Sequence, residues 1–298
     1  MTTIAAEDLQ ATIQAWDEAA WSLAALAFAA RGDGPPELTA AARQLLAAAG
    51  LTGGPEEPLP GLGAPDPQHV VSQAAAALHQ AWALASGRGH HWAAQSEEAL
   101  LAQGRQSARG AQPFAQFMLP TMGDLAGRLA APGARMLDVG TGVGALAVDF
   151  AHVFPQMHVL GIDILDSALD LARQAIAASD VADRVTVRKQ DVADFTDPAG
   201  FDLAWLPAPF IPQHALPAGL TRVTAALRPG GWLIAGHGKF GGTPVQDALT
   251  RLKTIVYGGT PLDEAAAGQV LRDAGLTSVR SMPTPQGVPA ITVGQKPA

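Results

Sequence analysis

Cysteine is absent from the 298 residues, so the chain has no disulfide framework, no thiolate metal site and no thiol nucleophile. Basic residues are scarce: 19 Lys and Arg stand against 27 Asp and Glu, the formal charge is −8, and no basic run occurs. The electrostatic attraction that supplies most non-specific nucleic-acid affinity is therefore missing, and neither a nucleic acid nor another large polyanion is expected as a partner. Long apolar runs are lacking too. The longest, Ala19 to Ala30, is too short to span a bilayer, and the amino terminus has no basic n-region and carries Glu7 and Asp8 early. These absences predict a soluble, cytoplasmic protein without a membrane partner.

What is present divides the chain in two. From Ile4 to Ala30, the residues Leu9, Ile13, Trp16, Ala20, Leu23 and Ala27 recur at three- and four-residue steps, the apolar stripe of an amphipathic helix, which Gly32-Asp33-Gly34-Pro35-Pro36 stops. Helices are also expected over Leu38–Ala49, His69–Ser86 and Ser96–Arg105, with a Pro/Gly-rich loop from Gly53 to Pro67. After Pro132-Gly133 short apolar strands alternate with helices. Strands are expected at Arg135–Val139, His158–Ile162, Val185–Lys189, Phe201–Leu206 and Gly231–Ala235, with two closing strands at Val279–Pro283 and Ile291–Gln295. Such alternation demands right-handed crossovers and a mostly parallel sheet covered on both faces. The expected fold is α/β: a doubly wound, seven-stranded sheet over residues 109–298, preceded by an all-helical domain over 1–108. Thr260-Pro261-Leu262-Asp263 reads as a helix start with Thr260 as cap.

In a doubly wound sheet the first strand-to-helix turn must let a ligand touch backbone, so glycines there have a steric reason. The turn here is Asp138-Val139-Gly140-Thr141-Gly142-Val143-Gly144. Gly140, Gly142 and Ala145 also satisfy the permissive dinucleotide fingerprint, and Asp163 falls where a ribose-binding carboxylate would, so a nicotinamide dehydrogenase competes. The further carboxylates favour a different ligand. Asp138 sits inside an apolar strand, where a charge is costly without a partner, and Asp191 follows the third strand at the same edge. Three acids on successive strand ends suit a ligand with an amino acid end, a ribose diol and an adenine amine, and suit a pyrophosphate badly.

On these residues the sequence, over about 110–298, resembles the class I S-adenosylmethionine-dependent methyltransferases. The resemblance implies that Asp138 with Gly140, Gly142 and Gly144 contacts the methionine end of S-adenosylmethionine, Asp163 the ribose and Asp191 the adenine amine. Thr141, Ile164, Val192 and Leu206 are expected in the same pocket. Phe201–Pro207 looks like the family's fourth-strand motif and Leu227–Leu233 like its turn into strand five.

Methyl transfer from a sulfonium is an in-line displacement that asks mainly for alignment and exclusion of water; a base matters only for a weak nucleophile such as a hydroxyl. After strand four the chain reads Pro207-Ala208-Pro209-Phe210-Ile211-Pro212-Gln213-His214. It resembles the Asn-Pro-Pro-aromatic signature of amide and adenine N-methyltransferases, but Pro207 replaces the Asn, which argues against such acceptors. The carboxylates of metal-dependent enzymes are also missing there, so no catalytic metal is expected. His214 and His237 are the candidate bases. His90-His91-Trp92 lacks a third ligand for zinc. Phe114, Phe117 and Met118 are candidates either for a lid over the cofactor or for core packing, and Trp16, Trp21 and Trp82 for helix packing or for an interface with a second copy or another protein. The expected activity is methylation of oxygen or carbon on a small, fairly apolar molecule of secondary metabolism. A cyclisation or rearrangement on the same fold, and a non-catalytic partner subunit, are the alternatives.

Overall fold

The Ala-rich apolar spacing of the first segment folds into three helices in the computed structural model, which describes residues 6–32, 34–52, 54, 67–87, 95–198, 200–284 and 288–298. His90, His91 and Trp92, and most of the Pro/Gly-rich stretch, lie outside the described residues. The chain forms two units, Met1–Ala85 and Ser86–Ala298.

In the first unit α1 (Ala6–Arg31) packs on α2 (Pro36–Ala48) and α3 (Pro67–Ala85). Only the carboxyl half of α1 is well covered: Ala25 joins Ala42 and Leu46 of α2, with Leu26, Phe28 and Leu45 against them. The other half of the expected stripe is not. Leu9 and Ile13 are nearly half exposed, and Trp16, Trp21 and Trp82 are 68%, 64% and 66% exposed, so helix packing does not account for the tryptophans.

The second unit begins with α4 (Glu97–Ser107), then α5 (Ala111–Pro113), a π-helical turn at Phe114–Met118, and α6 (Leu125–Ala130). The alternating part follows as β1 (Ala134–Val139), α7 (Ala145–Val153), β2 (Met157–Asp163), α8 (Asp166–Ala177), β3 (Val185–Lys189) and β4 (Phe201–Pro207). It closes with α9 (Leu216–Ala226), β5 (Leu227–His237), α10 (Pro244–Val256), α11 (Glu264–Asp273), β6 (Thr277–Met282) and β7 (Ala290–Gln295). The sheet order is β3-β2-β1-β4-β5-β7-β6, with β1 to β5 parallel and β7 antiparallel to both its neighbours. Period-2 alternation sends Met136 and Leu203 to one core with Phe114 and Phe150, and Leu137, Ala204 and Leu206 to another beneath Leu220 and Leu271. At the opposite edge of the strands from the ligand crevice, buried Asp202 accepts hydrogen bonds from Arg228 Nη1 (2.6 Å) and Arg135 N–H (3.0 Å).

Two expectations are revised, and one helix is added. The boundary falls at Ala85 rather than at 108, because α4, capped by the Ser96 hydroxyl, packs on α7 and α8: its Leu100 is buried with Val143 and Ala168. α11 starts at Glu264 with Asp263 as its cap, three residues after the expected start, because Thr260 is buried and donates its hydroxyl to Ile211 O instead (2.9 Å). And α10, which no expectation covered, forms under a reciprocal capping box between Thr243 and Gln246.

Candidate active site

The carboxyl ends of β1 to β5 open on one cavity of about 1020 Å³. Its floor on one side is the glycine turn. Gly140 and Gly142 adopt φ of +65° and +55°, which a side chain would strain, and a Cβ on Gly142 would meet no atom within 4 Å. Both line the cavity, so the backbone is bare where a ligand would lie. Gly144 (φ +75°) does not line it. As the cap of α7 it meets α8 instead, where a Cβ would stand 3.3 Å from that of Ala172.

Asp138 is 1% exposed, and its Oδ2 accepts the Thr141 hydroxyl at 2.7 Å. Burial pushes its carboxyl up to about 7; the Thr141 hydrogen bond opposes this and the Asp163 charge adds to it. Asp163 accepts the Gly142 N–H (2.9 Å) on one oxygen and the Leu165 N–H (3.0 Å) on the other, which ties the turn to the end of β2. Burial raises its pKa also, against those backbone bonds. Asp191 is exposed and caps a short 3₁₀ turn through the Ala193 N–H (2.8 Å), with Val192 buried behind it. Asp138, Gly140, Thr141, Gly142, Asp163, Ile164, Asp191 and Val192 thus share one cavity. Leu206 is corrected: its side chain points to the opposite face of β4, into the core, and its neighbours Trp205 and Pro207 line the cavity.

These groups fit S-adenosylmethionine. A buried carboxylate whose one side-chain partner is a neutral hydroxyl calls for a cation, two further acids face the same space, and Gly140 and Gly142 leave the backbone of the turn open to it.

Both histidines reach the cavity and differ in state. His237 is buried, with Nδ1 3.0 Å from Gly238 O and Nε2 2.9 Å from Thr292 Oγ1. A carbonyl only accepts, so Nδ1 carries the hydrogen and Nε2 accepts from Thr292; burial pushes the ring's pKa down, which keeps it neutral. His214 is exposed on the loop after β4.

The sequence reading missed α10, and it expected α4 as a helix without placing it at the site. Gln246, Thr250, Lys253 and Tyr257, spaced i, i+4, i+7 and i+11, put one face of α10 and its end into the cavity, a stripe that could have been read once the helix was recognised. Tyr257 packs on Phe210, ring centroids 5.0 Å apart. Across the cavity, Leu100, Gln103 and Gly104 of α4 form a cover, the first of the two roles for which Phe114, Phe117 and Met118 were candidates. Phe114 and Met118 are buried in the core and Phe117 is exposed. Gly104 approaches the turn so closely that a Cβ would stand 2.2 Å from Val143 Cγ2. Among the described residues no group of three or more His, Asp or Glu is placed to hold a metal, and no helix is long and apolar enough to cross a membrane.

Residues 136–231 match the family model described as a methyltransferase domain. Residues 136–231 are a methyltransferase domain, and the second unit around them has the class I methyltransferase fold. The release factor glutamine methyltransferase of Rhodopirellula baltica is 32% identical over 122 residues, 40% of this chain and 41% of that protein. The chain therefore spans about two fifths of the length of the curated relatives it matches. Among solved structures, an O-methyltransferase family protein from Burkholderia thailandensis superposes with a TM-score of 0.65 at 20% identity, covering 100% of this chain and 99% of that one. Human N-acetylserotonin methyltransferase in complex with SAM does so with a TM-score of 0.60 at 14% identity, covering 100% of each. At these identities the superpositions speak to the methyltransferase fold.

Proposed function

We propose that this chain binds S-adenosylmethionine and methylates an oxygen or carbon of a small, apolar acceptor of secondary metabolism, in the cytoplasm. The observation that carries the reading is the convergence of Asp138, Asp163 and Asp191 with the bare glycine turn on one cavity. The cofactor supplies an electrophilic methyl on a sulfonium. Asp138 holds the cationic amino acid end, Asp163 accepts from the ribose hydroxyls while fixing the turn through Gly142, and Asp191 accepts from the adenine amine. α4 covers this end and excludes water. Trp205, Phe210 and Tyr257 form the acceptor wall together with Pro207–Pro212. His214 is the group free to take a proton from a hydroxyl acceptor, whereas His237, bonded at both nitrogens, shapes the wall. The exposed Trp16, Trp21 and Trp82 of the first unit form an interface with a second copy of the chain, which sedimentation analysis of a Trp16→Ser variant tests.

Calorimetric titration with S-adenosylmethionine, S-adenosylhomocysteine and reduced nicotinamide dinucleotide tests the assignment, repeated with Asp163→Ala. Saturable binding of both adenosyl compounds, weakened at least about tenfold in the variant (about 1.4 kcal/mol), is the expected result. Binding of the nicotinamide compound alone refutes it. Product formation with S-adenosylhomocysteine as readily as with S-adenosylmethionine would make the reaction a rearrangement.

A further inference from the structure

α4 meets the glycine turn at a contact that leaves no room for a side chain. A Cβ on Gly104 would overlap Val143 Cγ2, while the next nearest atoms, Val143 Cβ and Ala145 Cβ, stand at the ordinary contact distances of 3.6 and 3.7 Å. One helical turn earlier Leu100 is buried with Val143 and Ala168, and just past the end of α4 the Ala111 N–H donates to Asp149 of α7 (2.8 Å). These attachments fix α4 against the turn, with Gln103 in the cavity beside Gly104.

Gln103 is half-buried and its amide has no hydrogen-bond partner. Among the described residues, the other polar side chains lining this side are engaged. Thr141 donates to Asp138, Gln190 to Asp191 O and Ser107 to Gln103 O, and Gln106 has a partner as well. Three N–H groups of the turn are also taken: Thr141 donates to Ile162 O, Gly142 to Asp163 and Gly144 to Thr141 O.

The charged groups that line the cavity at the ends of β1, β2 and β3 are the carboxylates of Asp138, Asp163 and Asp191. They suit the ammonium of an amino acid and repel its carboxylate, which therefore needs a donor from outside the acid set. A primary amide offers two N–H donors and no charge. It can hold a carboxylate next to Asp138 without pairing with Asp138 in place of the ammonium, as a lysine or arginine there would do.

We infer that Gln103 binds the carboxylate of the cofactor's amino acid end, and that Gly104 is the positioning residue that brings it there. The inference rests on the proposed function for the identity of the cofactor.

The test is calorimetric titration of the full chain with three compounds. They are S-adenosylhomocysteine, its decarboxylated analogue, which keeps the amine, and 5′-methylthioadenosine, which lacks the whole amino acid end. The wild type binds S-adenosylhomocysteine about tenfold or more tightly than the decarboxylated analogue. Gln103→Leu reduces that ratio to about threefold or less, and Gln103→Glu inverts it. Both variants bind 5′-methylthioadenosine within about twofold of wild type, which shows that they fold and keep the adenosine site. Gly104→Ala lowers the ratio although alanine favours a helix, and Gly104→Ala/Val143→Ala, which removes the obstructing methyl group, restores it. A wild type that does not distinguish the two compounds, a ratio that survives Gln103→Leu, loss of 5′-methylthioadenosine binding in that variant, or an unchanged ratio in Gly104→Ala overturns the inference alone. Failure of the wild type to bind any of the three compounds overturns the cofactor reading and the inference with it.

Discussion

Asp138 ties the cofactor reading to a proton count. Its carboxyl is pushed up to about 7, first by burial, so at neutral pH about half of the free molecules hold a proton there. A cation seated beside it stabilises the ionised form and expels that proton. Binding of S-adenosylmethionine at pH 7 should therefore release about half a proton, fewer as pH rises toward 8.5 and more as it falls toward 6. The assay is calorimetry in phosphate and in Tris, whose ionisation enthalpies differ widely; the slope of observed enthalpy against buffer enthalpy is the number of protons. In Asp138→Asn the slope should vanish and affinity should drop. The free protein gives a second reading with a definite sign. The folded carboxyl holds a proton that the unfolded chain, near 3.8, has already lost, so this group's contribution to stability declines as pH rises from about 4 to about 7, by up to about 1.4 kcal/mol per unit. Asp138→Asn should flatten that decline. A proton release below about 0.1 at pH 7, or one that persists in Asp138→Asn, would refute the reasoning.

Two further outcomes are expected. A Cβ on Gly259 would stand 1.9 Å from Pro209 O, where the turn after α10 meets the loop after β4, so Gly259→Ala should cost about 1–3 kcal/mol in denaturant titrations; Gly127→Ala, in open space on α6, should gain up to about 1 kcal/mol. Arg228→Met leaves buried Asp202 with the Arg135 N–H alone and should lose about 1–3 kcal/mol, less than a wholly buried pair because Arg228 is 40% exposed, and most of that loss should return in Arg228→Met/Asp202→Leu; a single variant as mild as breaking the exposed Arg173–Asp170 pair would contradict this.

Sequence alone carried the elements whose cause is local. Alternation placed seven strands within a few residues, β3 to the residue, and the glycine turn was readable because its positive φ angles need glycine. Where the signal depended on packing it failed. The stripe of α1 was a true helix signal that said nothing about whether Trp16 would be covered, and Thr260 looked like a helix cap until its hydroxyl was drawn to Ile211 by a contact 49 residues away. α10 went unread although Val245, Leu249, Leu252 and Ile255 recur at helical spacing behind its capping box; that this apolar stripe is exposed while the polar one lines the cavity was decided by packing.

The sequence by itself determined the doubly wound sheet, the glycine turn and the three strand-end acids, since strand period, crossover handedness and turn sterics act over a few residues at a time. Only the tertiary structure decided that His237 is held neutral between Gly238 and Thr292, that Leu206 faces the core, and that residues of α4 and α10 share one cavity with the acids. Those are matters of which residues, distant in the chain, come to share a space, and burial and charge act through that space.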